Sequence, residues 1–243
     1  MRQTADTFAH DAQTADGRIM PALRKKPLML RIITLVFGFF IMAVAPALAQ
    51  QPLEPTKIRH IYDIIREGNK IGTDVVDIDK QGNTTTVTFT THISVVVMFV
   101  EAYRFDHSSV ETSTRGRFVS YKSRTNDNGT KHSVVAMAMD NKLDLTVDGE
   151  HSEFPQIILP AAIWNKDFIN ATELIDTDKG TILSVKVQDM GDEVIELNGA
   201  DVQAHHYKIT GDFQRDVWLV NDVPVRIKLL GSDHSTIFTD LRP

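Results

Sequence analysis

One hairpin gives the strongest indication of the fold class of this 243-residue chain. Residues 117–139 read RFVSYKSRTNDNGTKHSVVAMAM, which is two strand-like segments on either side of Asn128-Gly129. Both of these residues tolerate the positive φ of a two-residue type I′ turn, whose twist matches that of paired antiparallel strands. The stretch therefore predicts two antiparallel strands, at residues 117–125 and 132–139.

The same pattern extends outward in both directions. Period-two alternation of apolar and polar residues recurs between short turn signals, which is typical of antiparallel β-structure. We predict further strands at residues 58–66, 71–79, 84–91, 95–100, 102–112, 142–147, 174–176, 181–189, 193–197, 202–210, 213–220, 225–230 and 235–241. Strands in sequence order with tight turns favour a mainly β fold, an antiparallel meander rolled into an open or nearly closed barrel.

Two segments depart from the alternation. Residues 95–100, VVVMFV, are apolar at every position, which predicts a strand that is covered on both faces. Residues 157–164 form a compact apolar block between Pro155 and Asn165. Because proline is permitted at the first position of a helix, we predict one short helix or helical turn that begins near Pro160.

The N-terminal part of the chain has the pattern of an export signal. Basic residues precede an uncharged apolar run at residues 32–44, and Ala47-x-Ala49 follows as a cleavage site. We predict a signal peptide at residues 1–49, a tether at residues 50–57 and a single β-rich domain at residues 58–243. The alternative is an uncleaved anchor, because the 19 uncharged residues 32–50 are just long enough to span a bilayer.

Composition excludes several classes of protein. The chain has 26 Lys+Arg against 32 Asp+Glu, and removing the six basic and three acidic residues of 1–49 leaves 20 against 29, a net charge of −9. Such a chain lacks the positive field that nucleic-acid binding needs. The absence of Cys excludes disulfides, thiolate metal sites and cysteine nucleophiles. Because dinucleotide, P-loop and zinc-peptidase motifs do not occur either, we expect no cofactor and no metal.

One strand carries the most informative polar cluster. Tyr103, His107 and Glu111 alternate onto one face of the predicted strand, while Arg104 lies on the other face. A histidine held by a carboxylate could move a proton, although His107 and Glu111 lie about 13 Å apart in an extended strand. Alternatively, these side chains pair with neighbouring strands, as charged residues in sheets commonly do.

The remaining candidates are a turn and two pairs that contain tryptophan. Asp127 could cap the amides of its turn or clamp Arg124 through a charge-assisted hydrogen bond. Trp164-Asn165 and Asp216-x-Trp218 place the two Trp residues of the chain beside polar groups. These residues either pack in the core or form surfaces that stack on a ligand.

Together these residues give the chain a family resemblance. From residue 61 to residue 241 it resembles the exported proteobacterial domain-of-unknown-function family 6134, through Ile71-Gly72-Thr73, Ala102-Tyr103-Arg104-Phe105 with His107, Ser123-Arg124-Thr125 with Asp127-Asn128-Gly129, Trp164-Asn165, Tyr207-x-Ile209-Thr210-Gly211 and Asp216-Val217-Trp218. The resemblance implies a β-rich periplasmic protein without an established reaction. More distantly, the chain is similar in fold to half-barrel families related to lipoprotein carriers, whose concave apolar surface receives acyl chains.

Three functions are compatible with these patterns. The first is a non-enzymatic periplasmic carrier of an apolar or lipid-like ligand, with residues 95–100 in its lining and residues 157–164 as a lid. The second is an envelope assembly factor that binds a protein partner through an apolar patch or a sheet edge. The third is a hydrolase-like enzyme with a polar pocket around Tyr103, His107 and Glu111. We expect membrane contact only through the N-terminal segment, if that segment is not cleaved.

Overall fold

The fold is built almost entirely from β-strands. The computed structural model describes residues 55–231 and 233–243, so the predicted signal peptide and residues 50–54 of the predicted tether lie outside the described residues. Fifteen strands span Thr56–Arg66 (β1), Asn69–Gln81 (β2), Thr84–Val97 (β3), Val100–Thr114 (β4), Arg117–Asp127 (β5), Thr130–Met139 (β6), Lys142–Val147 (β7), Glu150–Phe154 (β8), Leu159–Pro160 (β9), Glu173–Ile175 (β10), Ile182–Leu197 (β11), Ala200–Gly211 (β12), Arg215–Val220 (β13), Val223–Leu230 (β14) and Thr236–Leu241 (β15). A 3-10 turn spans Asp167–Asn170. Within the described ranges, no helix is long and apolar enough to cross a bilayer.

The strands form one sheet in chain order. Each strand from β1 to β7 pairs antiparallel with the next strand, each strand from β10 to β14 does the same, and β9 pairs parallel with β10. The first and last strands also pair, with Tyr62 opposite Leu241 and Arg66 opposite Ile237. The sheet has two edges, β8 and β9, which do not pair with each other and are separated along the chain by residues 155–158 alone. The predicted antiparallel meander in an open barrel is confirmed.

Two-residue turns set the register of most hairpins. At eight of these turns in the described chain, both central residues have positive φ, as type I′ geometry requires. The predicted turn at Asn128-Gly129 is one of them, with φ values of 49° and 99°. In seven of the eight the second residue is Gly, Asn or Asp, which adopt this conformation most readily. The eighth is Met98-Phe99, with φ values of 47° and 68°.

The Met98-Phe99 turn overturns the prediction for residues 95–100. β3 ends just before this turn and β4 begins just after it, so the apolar run is a hairpin tip and not a continuous strand. The five apolar residues at the tip are all exposed, Met98 to 88% and Phe99 to 102%. The prediction that both faces are covered is therefore wrong. An uninterrupted apolar run indicates an apolar segment, but it contains no periodicity that would place a turn.

Residues 155–181, here called the crossing segment, pass over the inner face of the sheet. The short helix predicted near Pro160 is wrong, because Leu159-Pro160 pairs as β9 and the amide of Ala161 donates to the carbonyl of Ile175 at 2.8 Å. Ile158 and Ile175 are buried in one core with Tyr121, Val134, Ala136, Leu143 and Leu145. The sheet thus covers the apolar block at residues 157–164. The apolar residues of this block follow one another without the 3.6-residue period of an amphipathic helix.

Gly180 allows the crossing segment to approach the sheet. Its φ is +71°, and a Cβ there would lie 2.4 Å from Cγ2 of Val147 on β7. Gly68 provides a matched position, since its φ is +78° and no atom lies within 4 Å of its Cβ position.

We expect Gly68→Ala to lower the free energy of unfolding by about 1–2 kcal/mol through backbone strain alone. Gly180→Ala should lower it by about 2–5 kcal/mol, because the clash with Val147 adds to the same strain. Urea unfolding of the two variants measures the difference. Equal losses would show that the crossing segment is not pressed against β7.

Candidate functional site

A cavity of about 440 Å³ lies inside the sheet. Its wall combines inward-facing residues of β1–β4, residues of β11 and β13–β15, and two short stretches of the crossing segment. Apolar side chains on this wall include Phe89, Ile93, Phe105, Phe213, Ile227 and Leu229. The volume is within the range of small-molecule pockets, which usually have an apolar lining with a few polar groups.

His107 is the centre of a polar patch on the cavity wall. It is 4% exposed and has Phe89 and Phe105 as ring neighbours, at centroid distances of 6.2 and 6.3 Å. Its Nδ1 lies 2.9 Å from Oγ1 of Thr125 and 3.1 Å from Oδ1 of Asp178. When Nδ1 carries a proton, the ring donates to the Asp178 carboxylate. Since Asp178 belongs to the crossing segment, this contact ties that segment to β4.

Asp74 is a buried carboxyl without a full set of partners. It is 8% exposed, and in the described chain its Oδ1 has no hydrogen-bond partner. Burial raises the pKa of Asp74 to about 6, although a hydrogen bond with Thr91 and the nearby His107 oppose this rise. A buried, incompletely bonded carboxyl costs folding free energy. Asp74 places this carboxyl on the cavity wall.

Arg215 on β13 contributes a guanidinium to the cavity wall. It belongs to the half of the sheet formed by β9–β15, whereas Asp74 and His107 belong to the half formed by β1–β8. Cζ of Arg215 lies 4.2 Å from the ring centroid of Phe213, and Nη1 donates to the carbonyl of Gln214 at 2.7 Å. Burial lowers the pKa of Arg215 to about 10, against the charges of Asp178 and Asp176. Arg215 forms no ion pair with a carboxylate in residues 55–231 and 233–243. Because a guanidinium has five N–H donors, several remain for another acceptor.

A second cavity, of about 260 Å³, lies between β4 and the crossing segment. Glu111, Trp164 and Asn165 line it, and Nε1 of Trp164 donates to Oε1 of Glu111 at 3.3 Å. Burial raises the pKa of Glu111 to about 7, while the hydrogen bond from Trp164 opposes the rise. Asn165 donates to Asp167 within its own segment, at 2.8 Å. The hydrogen bond between Trp164 and Glu111 therefore links the crossing segment to β4 at this cavity.

Comparison with known proteins places the chain in a family. A family model described as "Domain of unknown function (DUF6134)" matches residues 62–242. The chain belongs to this family. Its fold is similar to that of the "Beta-barrel-like Protein of Domain of Unknown Function DUF1849 from Brucella abortus", with a TM-score of 0.57 and 11% sequence identity over 76% of this chain and 95% of that one. No curated protein matches the sequence.

In this DUF6134 chain, the sequence-predicted site residues do not converge on one pocket. Tyr103 and His107 line the main cavity, and Oη of Tyr103 donates to Oδ1 of Asp127 at 2.9 Å. Arg104 and Arg124 lie on the outer face of the sheet, away from His107. Glu111 is in the second cavity. The constellation of the enzyme hypothesis is thus divided between two cavities and the outside.

Asp216 and Trp218 lie elsewhere, on β13. Trp218 stacks on His206 at a centroid distance of 4.5 Å and donates through Nε1 to Glu193 at 2.5 Å. Nε2 of His206 lies 2.9 Å from Oδ1 of Asp216. Trp218 is also part of a buried apolar cluster, so this pair has the packing role that the sequence left open.

Sequence reasoning missed Asp74 and Arg215. Asp74 shares the inward face of β2 with Val76, and Arg215 precedes inward-facing Val217 by two residues on β13. A charged residue in an inward apolar register was the available signal. Asp178 gave no such signal, because it lies in a turn of the crossing segment and its contact with His107 depends on the path of that segment.

The buried carboxyl of Asp74 makes the free energy of unfolding depend on pH. Its folded pKa of about 6 is above the unfolded value of about 3.9. The folded state therefore retains the proton in this window, and wild-type stability falls as the pH rises from about 4 to 6. Asp74→Asn removes this titration. We expect the free energy of unfolding of the variant, relative to wild type, to increase by about 2–3 kcal/mol between pH 4 and pH 7.5. Urea unfolding at both pH values measures it, and a pH-independent difference would contradict the burial of a titrating carboxyl.

Proposed function

We propose that the domain is a non-enzymatic binding or carrier protein that holds an apolar or lipid-like molecule in its main cavity. The observation that carries the proposal is the space of about 440 Å³ between the two halves of the sheet, with phenylalanine and branched aliphatic side chains on its wall. Transfer of an apolar molecule from water to such a wall is favourable. The cavity is also large enough for a small ligand.

The polar groups of the wall suit a ligand with one polar end. Asp74 and His107 lie on the β1–β8 half, and Arg215 lies on the other half. A polar end placed between them would find both acceptors and donors, while the apolar body contacts Phe105 and Phe213. A small number of placed polar groups in an apolar pocket fixes the orientation of a bound molecule.

We also propose that the protein acts in the periplasm after cleavage of residues 1–49. The pattern of basic residues, apolar run and Ala47-x-Ala49 supports this location. N-terminal sequencing of protein purified from its own host tests it, and a start at Gln50 is the expected result. A chain that retains residues 32–44 would contradict the cleavage.

A cavity-filling variant tests the carrier function. Ala161 lines the cavity, so Ala161→Phe should occupy part of it, whereas Ala200→Phe adds the same ring at the exposed first residue of β12. With N-phenyl-1-naphthylamine as a fluorescent apolar probe, we expect wild type and Ala200→Phe to bind equally and Ala161→Phe to bind at least about tenfold more weakly. Equal urea midpoints of the two variants would show that the loss is not caused by unfolding. Equal probe affinity of all three proteins would contradict binding in this cavity.

Protein from its own host provides an independent test. Solvent extraction followed by mass spectrometry should recover a lipid-like molecule in near-stoichiometric amount. Consistently empty protein that also fails to bind the fluorescent probe would overturn the carrier function.

A further inference from the structure

The tip of the β3–β4 hairpin is an exposed apolar surface. Residues 96–100, here called the apolar tip, are Val, Val, Met, Phe and Val, and each of them is exposed. Such a surface gains nothing from folding, because these side chains face water in the folded chain as well. Exposed apolar side chains grouped in this way mark a site of interaction.

The other turns of the same type show what folding alone selects. Their second residue is Gly, Asn or Asp, because positive φ disfavours larger side chains. Met98 and Phe99 occupy these positions despite that preference, with φ values of 47° and 68°. The sequence thus keeps large apolar side chains at the outermost point of the hairpin against the local conformational preference.

We propose that the apolar tip inserts into the interfacial region of a lipid bilayer and brings the mouth of the cavity to the membrane surface. Ile93, Tyr103 and Phe105 line the cavity on the two strands directly behind the tip. The inference rests on the proposed carrier function, since it makes the membrane the source or destination of the ligand. It also adds a membrane contact beyond the N-terminal segment.

The length of the apolar tip matches the depth to which interfacial segments enter a bilayer. From the Val96–Glu101 pair to the turn the hairpin extends two residues, or roughly 7 Å at the rise of a strand. Interfacial apolar segments are typically buried about 5–10 Å deep. Polar side chains begin at the base of the tip, where Glu101 is paired with Val96 and accepts a hydrogen bond from Ser94 at 2.8 Å. Val97 and Val100 are paired in the ladder, so the inserted backbone is largely hydrogen-bonded.

The shape of the apolar tip favours a bilayer over a protein groove. Val96 and Val97 point to opposite faces of the hairpin, and Met98 and Phe99 cover its end. Hydrocarbon surrounds such a tip on all sides, whereas a groove on a protein covers one face. The net charge of −9 for residues 50–243 provides no general attraction to anionic lipids. Binding should therefore occur on zwitterionic vesicles and depend little on salt.

Site-specific labelling tests insertion at the tip itself. The chain has no cysteine, so Met98→Cys accepts a single environment-sensitive fluorophore. Asn141→Cys is the matched control in the polar turn of the β6–β7 hairpin, where φ is 74°. With phosphatidylcholine–phosphatidylethanolamine vesicles, we expect a blue shift and quenching by nitroxide lipids at position 98 and neither at position 141. No change at 98, or equal changes at both positions, would overturn insertion of the tip. Because the signal is local, binding through residues 32–44 does not produce it.

A double variant separates insertion from stability. Met98→Asn with Phe99→Gly installs the residues that the turn prefers, so its urea midpoint should equal or exceed that of wild type. Its partition into the same vesicles should fall at least about tenfold, since two large apolar side chains no longer leave water. Met139→Asn removes an apolar side chain that is also exposed, and it should leave partition unchanged. Undiminished partition of the double variant would contradict the inference. The inference would also be wrong if the label at position 98 showed no blue shift with vesicles while wild type, but not the double variant, bound a protein partner in stoichiometric amount.

Binding of N-phenyl-1-naphthylamine without vesicles distinguishes the two proposals. The double variant should bind this probe as wild type does, because neither substituted residue lines the cavity. Probe binding together with no insertion of the tip would refute only the membrane contact. Insertion without probe binding to any of the proteins would refute the carrier function and leave the membrane contact standing.

Discussion

Backbone pairing between the first and last strands is the constraint on which the structure depends. Without the β1–β15 ladder, β1–β8 and β9–β15 would be two separate sheets. Side chains reinforce this seam, since Arg242 donates to Oδ1 of Asp63 at 2.9 and 2.7 Å and Oη of Tyr62 donates to the carbonyl of Pro224 at 3.0 Å. The cavity wall contains residues from both sides of the seam, so the cavity exists only when the seam is formed.

The polar groups of the cavity come from distant parts of the chain, and one of them, Asp74, has a buried carboxyl oxygen without a hydrogen-bond partner among the described residues. Asp74 lies on β2, His107 on β4, Asp178 on the crossing segment and Arg215 on β13. An interior selected for stability alone would pair or replace such groups. The low local dielectric that makes an unpaired group costly also strengthens its interaction with a ligand. The unpaired carboxyl therefore lowers folding stability at the place where the proposed ligand would supply the missing hydrogen bond.

The sequence predicts the local part of this structure well and the long-range part poorly. Asn128-Gly129 and the alternating segments predict strands and turns because φ preferences and sheet periodicity act over a few residues. The crossing segment and the tip at Met98-Phe99 are apolar without periodicity, so the sequence does not show what covers them. Tyr103 and His107 follow from alternation on one strand. The contact of His107 with Asp178 requires the whole sheet to be rolled, and strand periodicity alone does not determine it.

The two edges of the sheet offer little backbone for a strand of another molecule to pair with. Unpaired edge strands expose amides and carbonyls that can recruit a strand from another molecule. β8 has only five residues, and four of them, Glu150, His151, Ser152 and Glu153, are polar and exposed. β9 has only two residues, and Pro160 has no amide hydrogen to offer. A short polar strand at one edge and a proline at the other therefore leave little template for edge-to-edge pairing, although the sheet does not close on itself.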